Sequence, residues 1–331
     1  MSYIAVIGAG SWGTTLACLL AEKEYDVSLW VHEEDLCEEM RTTRINSLYL
    51  PGFRIPDHVV ISNDVEQTVE KARYILNVIP TQYARAVLEN ALPLISPDAV
   101  IINASKGIEK KTLLTVSSII KGLSNHRVAV ISGPSFAREV CRKLPTAVTL
   151  ACEDAGTSLL LQEIFNTPSF RVYTHDDILG VELGGALKNV IAIASGISDG
   201  LVLGHNARAA LLTRGLAELE RLGIAMGAQK RTFSGLSGLG DLILTCTAFL
   251  SRNYTLGTKL AQGMKLNDVL SQSKSVVEGV ATAESAYELS QKYHVQMPFV
   301  EQVYKVLYEG KDPGVAVTEL MNRALKTEFH A

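Results

Sequence analysis

A glycine-rich turn near the amino terminus constrains the fold of this chain more than any other feature. Gly8, Gly10 and Gly13 form the pattern G-x-G-x-x-G between an apolar run at residues 4–7 and a helical stretch at 14–23. In this context the first glycine permits a tight turn, the second lets the backbone approach a pyrophosphate, and the third lets the helix pack on the strand. Because strand, turn and helix fall in register, the pattern predicts a dinucleotide site rather than an unrelated glycine-rich turn.

The choice of dinucleotide depends on the end of the second strand, at residues 27–31. An acid there accepts a hydrogen bond from the ribose 2′-OH of NAD. This chain has His32 in that place, followed by Glu33 and Glu34. Either glutamate suits a ribose, or both are first-turn acids of the next helix, whereas His32 suits a 2′-phosphate or the adenine. These residues are compatible with either NAD or NADP as the cofactor. We expect the protein to use both, with NADPH modestly favoured.

Strand-like and helical stretches alternate through the first half of the chain, and helical spacing dominates the second half. The apolar runs lie at residues 4–7, 27–31, 59–61, 74–79, 99–102, 128–131, 146–150 and 171–173. Continuous Val/Ile runs separated by helices predict a parallel sheet covered on both faces, which is a doubly wound α/β fold. We therefore predict a dinucleotide-binding domain at 1–180 and an all-helical, substrate-binding domain at 181–331.

Composition narrows the class of protein. The 331 residues suit two domains, and 47% hydrophobic with 20% charged residues suits a folded core. A net charge of −4 makes the chain a poor general binder of nucleic acid. The five scattered cysteines lack a CxxC pair, which predicts neither a metal site nor a disulfide framework. With no signal peptide and no apolar run of about 18 residues, we expect a cytoplasmic protein without integral membrane association.

Polar and turn-forming residues follow the predicted strands, where ligands bind in open α/β sheets. Lys106 follows the run at 99–102, and Gly133 and Ser135 follow the run at 128–131. Lys106 lies beside a glycine on the same rim as the nucleotide turn, which favours a ligand over a solvated charge. Ser135 suits a substrate contact and an N-cap of the next helix equally well.

Lys188 is the candidate general base. It lies in a stretch at residues 177–198 that is apolar on almost every face. Burial disfavours the charged form of lysine and lowers its pKa, and a second cation such as Lys106 lowers it further. The alternative is a lysine that buries its stem and keeps its head in water. Gly184 and Gly185 argue against that alternative, because glycine is costly inside a helix unless something approaches closely.

Two further segments carry candidate ligands. Asp241 follows a glycine-rich loop and precedes an apolar run at 242–250, so it is a ligand or the N-cap of that run. Ser251, Arg252 and Asn253 come directly after the run. An arginine beside hydrogen-bonding side chains suits a phosphate, and the alternative is a solvated helix end.

Taken together, these motifs resemble the NAD(P)-dependent glycerol-3-phosphate dehydrogenases of the soluble, bacterial type. The resemblance spans nearly the whole chain and rests on order and spacing. The motifs are GAGSWGTTLA at 8–17, SKG at 105–107, GPSFA at 133–137, ALKNV at 186–190, SGLGDL at 237–242, SRN at 251–253 and VEG at 277–279.

The resemblance implies a fold, a reaction and a set of roles. The fold is an N-terminal Rossmann domain followed by an all-helical domain of the 6-phosphogluconate dehydrogenase C-terminal type. The reaction is reversible hydride transfer between sn-glycerol 3-phosphate and NAD(P)+, giving dihydroxyacetone phosphate, and it supplies glycerol 3-phosphate for phospholipid synthesis. Lys188 is implied as the proton acceptor. A homodimer is compatible with the sequence, which does not fix the oligomeric state.

The resemblance also implies the ligands. Those of the substrate are Lys106, Gly133, Ser135, Lys188, Asp241, Ser251, Arg252 and Asn253. Those of the dinucleotide, besides the glycines, are Ser11, Trp12, His32, Lys106, Ala137, Arg252, Val276 or Val277, and Glu278. Many relatives place an arginine where this chain has His32, which argues against a strict NADP preference.

Two other functions compete with this one. A related β-hydroxyacid or ketopantoate-type reductase shares the fold and a lysine on the central helix, but an unphosphorylated substrate has no need of Arg252. A dinucleotide-sensing protein without turnover needs a DNA-binding segment or a partner surface. The chain shows no basic helix or tail of that kind, and the apolar surroundings of Lys188 also argue for an enzyme.

Overall fold

The computed structural model describes residues 3–273, 275–325 and 327–328. In these residues one sheet of eight strands is followed by a group of helices. The strands are β1 (Tyr3–Ile7), β2 (Asp26–Trp30), β3 (Val60–Ser62), β4 (Tyr74–Asn77), β5 (Val100–Asn103), β6 (Arg127–Ser132), β7 (Thr146–Cys152) and β8 (Phe170–His175).

Helices cover the sheet and make up the second half of the described chain. They are α1 (Ser11–Glu22), α2 (Glu34–Thr43), α3 (Val65–Val69), α4 (Thr81–Ala91), α5 (Val116–Leu123), α6 (Ala137–Cys141), α7 (Ala155–Phe165), α8 (Ile178–Gly200), α9 (Gly204–Ala225), α10 (Lys230–Phe233), α11 (Asp241–Thr247), α12 (Arg252–Ala261), α13 (Leu266–Ser271), α14 (Glu278–Lys292), α15 (Pro298–Tyr308) and α16 (Pro313–Met321). A 3-10 turn at Leu92–Leu94 and a π-helical turn at Leu236–Gly240 complete the set.

The strand order is β3-β2-β1-β4-β5-β6-β7-β8, so the chain reverses its direction of winding at β1. Strand β1 pairs in parallel with both β2 and β4, and its side chains alternate between two cores. Ile4 and Val6 belong to one core, and Ala5 and Ile7 to the other. The predicted doubly wound sheet with two buried faces is confirmed. The reversal beside β1 creates the crevice in which such sheets bind ligands.

One strand pair departs from the predicted parallel sheet. Strand β7 runs antiparallel to β6, whereas β8 is again parallel to β7. The connection from β6 to β7 contains only the five-residue helix α6. A parallel return usually runs back along the strand as a helix, and a five-residue helix rises only about 7.5 Å, so the chain turns back instead. Alternation of apolar runs does not encode this change of direction.

Helix α8 is the centre of the helical part. It packs on α9, α11, α12 and α14, and it also contacts β6. A Cβ at Gly257 would lie 2.1 Å from the Ile193 carbonyl oxygen, and one at Gly196 would lie 2.0 Å from that of Tyr254. These glycines let α8 and α12 approach backbone to backbone. Because α8 contacts both the sheet and the helices, a division of the chain at residue 180 stays a prediction.

The expectation that no segment reaches the length and hydropathy of a membrane span was wrong for α8. An 18-residue window of this helix has a mean hydropathy of 1.4. The window is 94% buried inside the protein, which is the pattern of a core helix. The sequence shows residues 177–198 to be apolar on almost every face, but Glu182 and Lys188 interrupt the stretch, so it was not counted as a continuous apolar run.

Candidate active site

The glycine turn has the geometry that the sequence predicted. Gly8 has φ +114°, a conformation that favours glycine. A Cβ at Gly13 would lie 1.9 Å from the Gly8 carbonyl oxygen, so no other residue fits there without moving α1. A Cβ at Gly10 would meet nothing within 4 Å. The turn is therefore closed on the protein side and open at Gly10, which fits a cradle for a pyrophosphate.

Asn46 supports this turn from behind, although sequence reasoning missed it. Its side-chain amide donates to the Ala9 carbonyl oxygen at 2.7 Å and to the Thr14 hydroxyl at 2.9 Å. Its amide oxygen accepts from the Tyr49 backbone N–H at 3.0 Å. Asn46 is fully buried, so these bonds are shielded from water. No short motif indicated the contact, because Asn46 is 37 residues away from Ala9 in the chain.

At the end of β2, His32 is exposed and its ring lies 5.6 Å from that of Trp30. Glu33 precedes α2, and its carboxylate accepts from the Tyr49 hydroxyl at 2.7 Å. Glu34 is a first-turn acid of α2. Within the described chain, no hydrogen bond joins His32 to the other candidate ligands. This arrangement is compatible with NAD and with NADP, because the His32 ring is exposed and, among the described residues, makes no hydrogen bond to the other candidate ligands.

A cluster of two lysines and one aspartate forms the centre of the site. The Lys188 ammonium donates to Asp241 Oδ1 at 2.6 Å and to Thr245 Oγ1 at 2.7 Å. The Lys106 ammonium donates to the other oxygen of Asp241 at 2.7 Å and to the Gly133 carbonyl oxygen at 3.0 Å. One carboxylate thus bridges a lysine from α8 and a lysine from the loop after β5. Thr245 was missed because only the folded chain brings it to Lys188.

The electrostatics of the cluster favour proton transfer at Lys188. Burial lowers its pKa, Asp241 raises it and Lys106 lowers it, and the net result is a pKa of about 8. Burial alone would raise the pKa of Asp241, but Lys106 and Lys188 hold it below its ordinary value. The interpretation of Lys188 as a lysine with its head in water is wrong, because its ammonium is bonded inside the protein. A lysine with a pKa near neutrality suits a general base.

The two glycines before Lys188 make room for the rest of the cluster. A Cβ at Gly184 would lie 2.7 Å from the Ser237 carbonyl oxygen. A Cβ at Gly185 would lie 2.5 Å from the Ser132 hydroxyl oxygen and 3.5 Å from the Lys106 side chain. The close approach that the glycine pair predicted is therefore confirmed, and it brings the carboxyl end of β6 against α8.

The structure decides two of the alternatives left by the sequence and corrects one predicted boundary. Asp241 is the first residue of α11 and Gly240 is the N-cap, so the N-cap interpretation of Asp241 is wrong. Ser251 caps α12 by accepting from the Tyr254 N–H at 3.2 Å, so Ser251 opens a helix rather than ending one. Helix α11 already ends at Thr247, which corrects the helical run predicted for 242–250.

The loop after β6 places three candidate ligands beside the cluster and α1. The Ser135 hydroxyl donates to the Gly133 carbonyl oxygen at 2.9 Å. Phe136 is the N-cap of α6, so Ser135 does not cap that helix. Ala137 begins α6, and its carbonyl oxygen lies 3.5 Å from Thr15 Oγ1 on α1. Ser11 and Trp12, the first two residues of α1, lie within about one helical turn of Thr15.

Asn189 and Asn253 join three helices next to Lys188. Asn253 donates to the Asn189 side-chain oxygen at 2.9 Å and accepts from the Gly279 N–H at 3.0 Å. These bonds connect α12, α8 and α14. Sequence reasoning missed Asn189, although a polar residue beside Lys188 in an apolar helix was a signal for it.

Arg252, Val276 and Glu278 lie at or just before the starts of α12 and α14. Arg252 is exposed and donates to the Val276 carbonyl oxygen at 2.7 Å. Glu278 Oε1 accepts from the Thr81 N–H at 3.0 Å, and its other oxygen is buried without a hydrogen-bond partner among the described residues. Burial raises the pKa of Glu278 to about 7, against the Thr81 N–H and Arg252, which lower it. An arginine with free donors and an unpartnered carboxylate oxygen both suit a polar ligand.

Known proteins resemble this chain over nearly its whole length. Residues 3–158 match the family described as NAD-dependent glycerol-3-phosphate dehydrogenase N-terminus, and residues 177–318 match its C-terminus. A relative from Geobacter sulfurreducens, named glycerol-3-phosphate dehydrogenase (NAD(P)+), is 56% identical over 329 residues and covers 98% of both chains. A crystal structure of glycerol-3-phosphate dehydrogenase from Coxiella burnetii has a TM-score of 0.94 and 42% identity, covering 97% of this chain and 99% of that one. A ketopantoate reductase from Ralstonia eutropha, with a TM-score of 0.62 and 15% identity over 96% of this chain and all of that one, shows the fold alone.

Proposed function

The chain belongs to the NAD-dependent glycerol-3-phosphate dehydrogenase family, and on that premise we propose how its residues carry the reaction. The enzyme transfers a hydride reversibly between sn-glycerol 3-phosphate and NAD(P)+, giving dihydroxyacetone phosphate and NAD(P)H. It supplies glycerol 3-phosphate for phospholipid synthesis. The observation that supports the residue roles best is the buried Lys188–Asp241–Lys106 cluster.

Lys188 is the proton acceptor in this proposal. In its neutral form it takes the proton of the C2 hydroxyl while the hydride leaves C2, and in reduction it returns the proton to the oxygen at C2. The bound nicotinamide supplies the chemistry of accepting and returning the hydride. Asp241 and Thr245 hold the amine in place. Lys106 faces the same space and favours the negative charge that develops on that oxygen during reduction.

The substrate phosphate is held by Arg252 together with Ser251 and Asn253. Arg252 is exposed at the start of α12 and has donors that its bond to the Val276 carbonyl oxygen does not use. An arginine fork matches the oxygens of a phosphate. Gly133 and Ser135, on the loop after β6, complete the polar surroundings of the substrate.

The dinucleotide lies along the glycine turn and the crevice beside β1. Its contacts besides the glycines are Ser11, Trp12, His32, Lys106, Ala137, Arg252, Val276 or Val277, and Glu278. The open space at Gly10 and the free N–H groups of α1 support the pyrophosphate position. NADPH is modestly favoured, because His32 tolerates a 2′-phosphate and the Glu33 carboxylate is engaged by Tyr49.

Turnover with matched substrates tests the function. Purified protein is mixed with NADH or NADPH and with dihydroxyacetone phosphate or ketopantoate, and the absorbance of the reduced cofactor is followed. Consumption with dihydroxyacetone phosphate alone is the expected result. Consumption with ketopantoate alone would support the competing reductase, and binding of dinucleotide without turnover would support a sensing protein.

The setting of the enzyme is also part of the proposal. We place it in the cytoplasm, without integral membrane association, since the five cysteines are free and α8, the span-like helix found among the described residues, is covered by protein. The predicted domains are 1–180 and 181–331. A homodimer is the candidate assembly, and light scattering at working concentration measures it.

A further inference from the structure

Glu182 is a buried carboxylate on α8 that takes no part in the roles given above. It is 5% exposed. Its Oε1 accepts from the Asn103 side-chain amide at 2.8 Å and from the Ser117 N–H at 2.9 Å. Its Oε2 accepts from the Ser117 hydroxyl. Burying a carboxylate is costly unless its oxygens are satisfied, and a hydrophobic residue would fill the same volume at less cost.

The hydrogen bonds of Glu182 continue through Asn103 to the backbone of Ser105. Asn103 ends β5, and its amide nitrogen also donates to the Ser105 carbonyl oxygen at 3.2 Å. Its amide oxygen accepts from the Ser105 N–H at 3.1 Å and from Asn77 at 2.9 Å. The Ser105 hydroxyl donates to the Ile79 carbonyl oxygen at 2.6 Å. Both backbone groups of Ser105 and its side chain are therefore fixed.

Lys106 follows Ser105 in the chain, so this network fixes the backbone position from which the Lys106 side chain extends. From there the stem passes Gly185 on α8, and the ammonium reaches Asp241 and the Gly133 carbonyl oxygen. Helix α8 therefore acts on the site in two ways. It carries Lys188 directly, and through Glu182 it holds the loop that carries the second lysine.

We propose that Glu182 is a positioning residue, which acts through Asn103 and Ser105 to aim the Lys106 ammonium at Asp241 and at bound substrate. The inference rests on the proposed role of Lys106 in the site. It differs from a purely structural role, in which Glu182 would only tie α8 to the start of α5. In that case its loss would lower stability and leave the chemistry of the cluster unchanged.

The test compares Glu182→Met with Glu182→Gln. The glutamine keeps an acceptor for Asn103 and for the Ser117 N–H, and its amide group donates to the Ser117 hydroxyl. We expect Glu182→Gln to stay close to the parent in kcat/KM for dihydroxyacetone phosphate. Glu182→Met should lose roughly 10- to 100-fold, the scale of an ångström-sized misplacement. Equal loss in both variants would overturn the proposal.

Glu218 provides the matched control. It is also a buried carboxylate on a long helix, and it accepts from the N–H groups of Phe299 at 2.9 Å and Val300 at 3.2 Å. Glu218→Met should lower the melting temperature and leave kcat/KM unchanged. If Glu182→Met and Glu218→Met behaved alike in both measurements, Glu182 would be structural.

Two readouts show whether the effect passes through Lys106. Because Lys106 lowers the pKa of Lys188, displacing it should move the pH profile of kcat/KM to higher pH in Glu182→Met. In a Lys106→Ala background, Glu182→Met should cause no further loss, and a full additional loss would contradict the proposal. If Lys106→Ala alone kept parent activity, the role assigned to Lys106 would fail, whereas the pH profile of Glu182→Met would still test the positioning.

A second variant covers the case in which Glu182→Met does not fold. Asn103→Ala breaks the network at the next step and leaves Glu182 bonded to Ser117. It should reproduce the loss in kcat/KM and the shift of the pH profile. A folded Asn103→Ala protein with a parent profile would overturn the proposal.

Discussion

The glycine turn and the lysine–aspartate cluster are built in opposite ways. The turn is made of backbone, and its three glycines lie within six consecutive residues. The cluster is made of charged side chains, and Asp241 is 53 residues from Lys188 and 135 residues from Lys106. A backbone site is encoded locally and depends on the absence of side chains. A side-chain site is assembled by the whole fold and depends on the balance of charge.

The largest effect should come from removing the base. This substitution should impair the cluster and leave the glycine turn intact. We expect Lys188→Ala to lower kcat by about 100- to 10,000-fold, the usual scale of general acid–base catalysis. The dissociation constant of NADPH should stay almost unchanged, because the glycine turn is intact. Turnover and fluorescence titration measure the two quantities. A variant with more than half the parent kcat would contradict the role of Lys188.

The charges of the cluster should determine how kcat/KM depends on pH. The base must be neutral to accept a proton, and the pKa of Lys188 is about 8. The value of kcat/KM for glycerol 3-phosphate should therefore rise about tenfold per pH unit below that value and level off above it. Reduction needs the protonated lysine and should fall above it. In Lys106→Ala the midpoint should move to higher pH, and an unmoved midpoint would show that Lys106 does not act on Lys188.

Arg252 tests whether a charge outside the cluster holds the substrate. Loss of a charged hydrogen-bond donor costs about 1.5–3 kcal/mol. We expect Arg252→Ala to raise the KM for dihydroxyacetone phosphate accordingly, with a smaller loss of cofactor affinity. Lys259→Ala is the matched control, since it removes a positive charge from the last turn of the same helix. An unchanged KM in Arg252→Ala would place the phosphate elsewhere.

Two alanine substitutions in the glycine turn compare its packed position, Gly13, with its open position, Gly10. In Gly13→Ala, the new Cβ would collide with the Gly8 carbonyl oxygen, so stability should fall by about 1–3 kcal/mol. In Gly10→Ala, the Cβ meets nothing in the protein, so stability should hold and only dinucleotide affinity should fall. Thermal unfolding with and without NADPH measures both. Equal losses of stability would contradict the geometry of the turn.

The smallest effect concerns the choice of cofactor, which we assign to His32 at the end of β2. A histidine in place of the ribose-binding acid suits a 2′-phosphate. We expect His32→Ala to lower the preference for NADPH over NADH in kcat/KM by a few-fold. An unchanged preference in His32→Ala would implicate another group, and a strong NADH preference in the parent would refute the expectation.

The same contrast explains how much the sequence could predict. The strands, the glycine turn and a lysine in an apolar helix are local signals, and the structure has all three. The residues around Asp241 left two interpretations open, a ligand or an N-cap, and the resemblance to a family favoured the ligand. Asn46, Thr245 and Glu182 act through partners far away in the chain, and no local pattern indicates them. The direction of β7 was missed for a related reason, since strand patterns record burial and not orientation.

The burial of α8 has a consequence for how the chain is made. Helices α12, α14 and α15, which cover it, follow it in the chain, and α15 ends only at Tyr308. Synthesis proceeds at about 5–20 residues per second, so the apolar surface of α8 stays uncovered for several seconds after it leaves the ribosome. Transiently exposed apolar surface of this kind is prone to aggregation, and chaperones protect such surfaces. Chains stopped before α15 should therefore stay bound to chaperones, and release should follow once the residues of α15 have emerged.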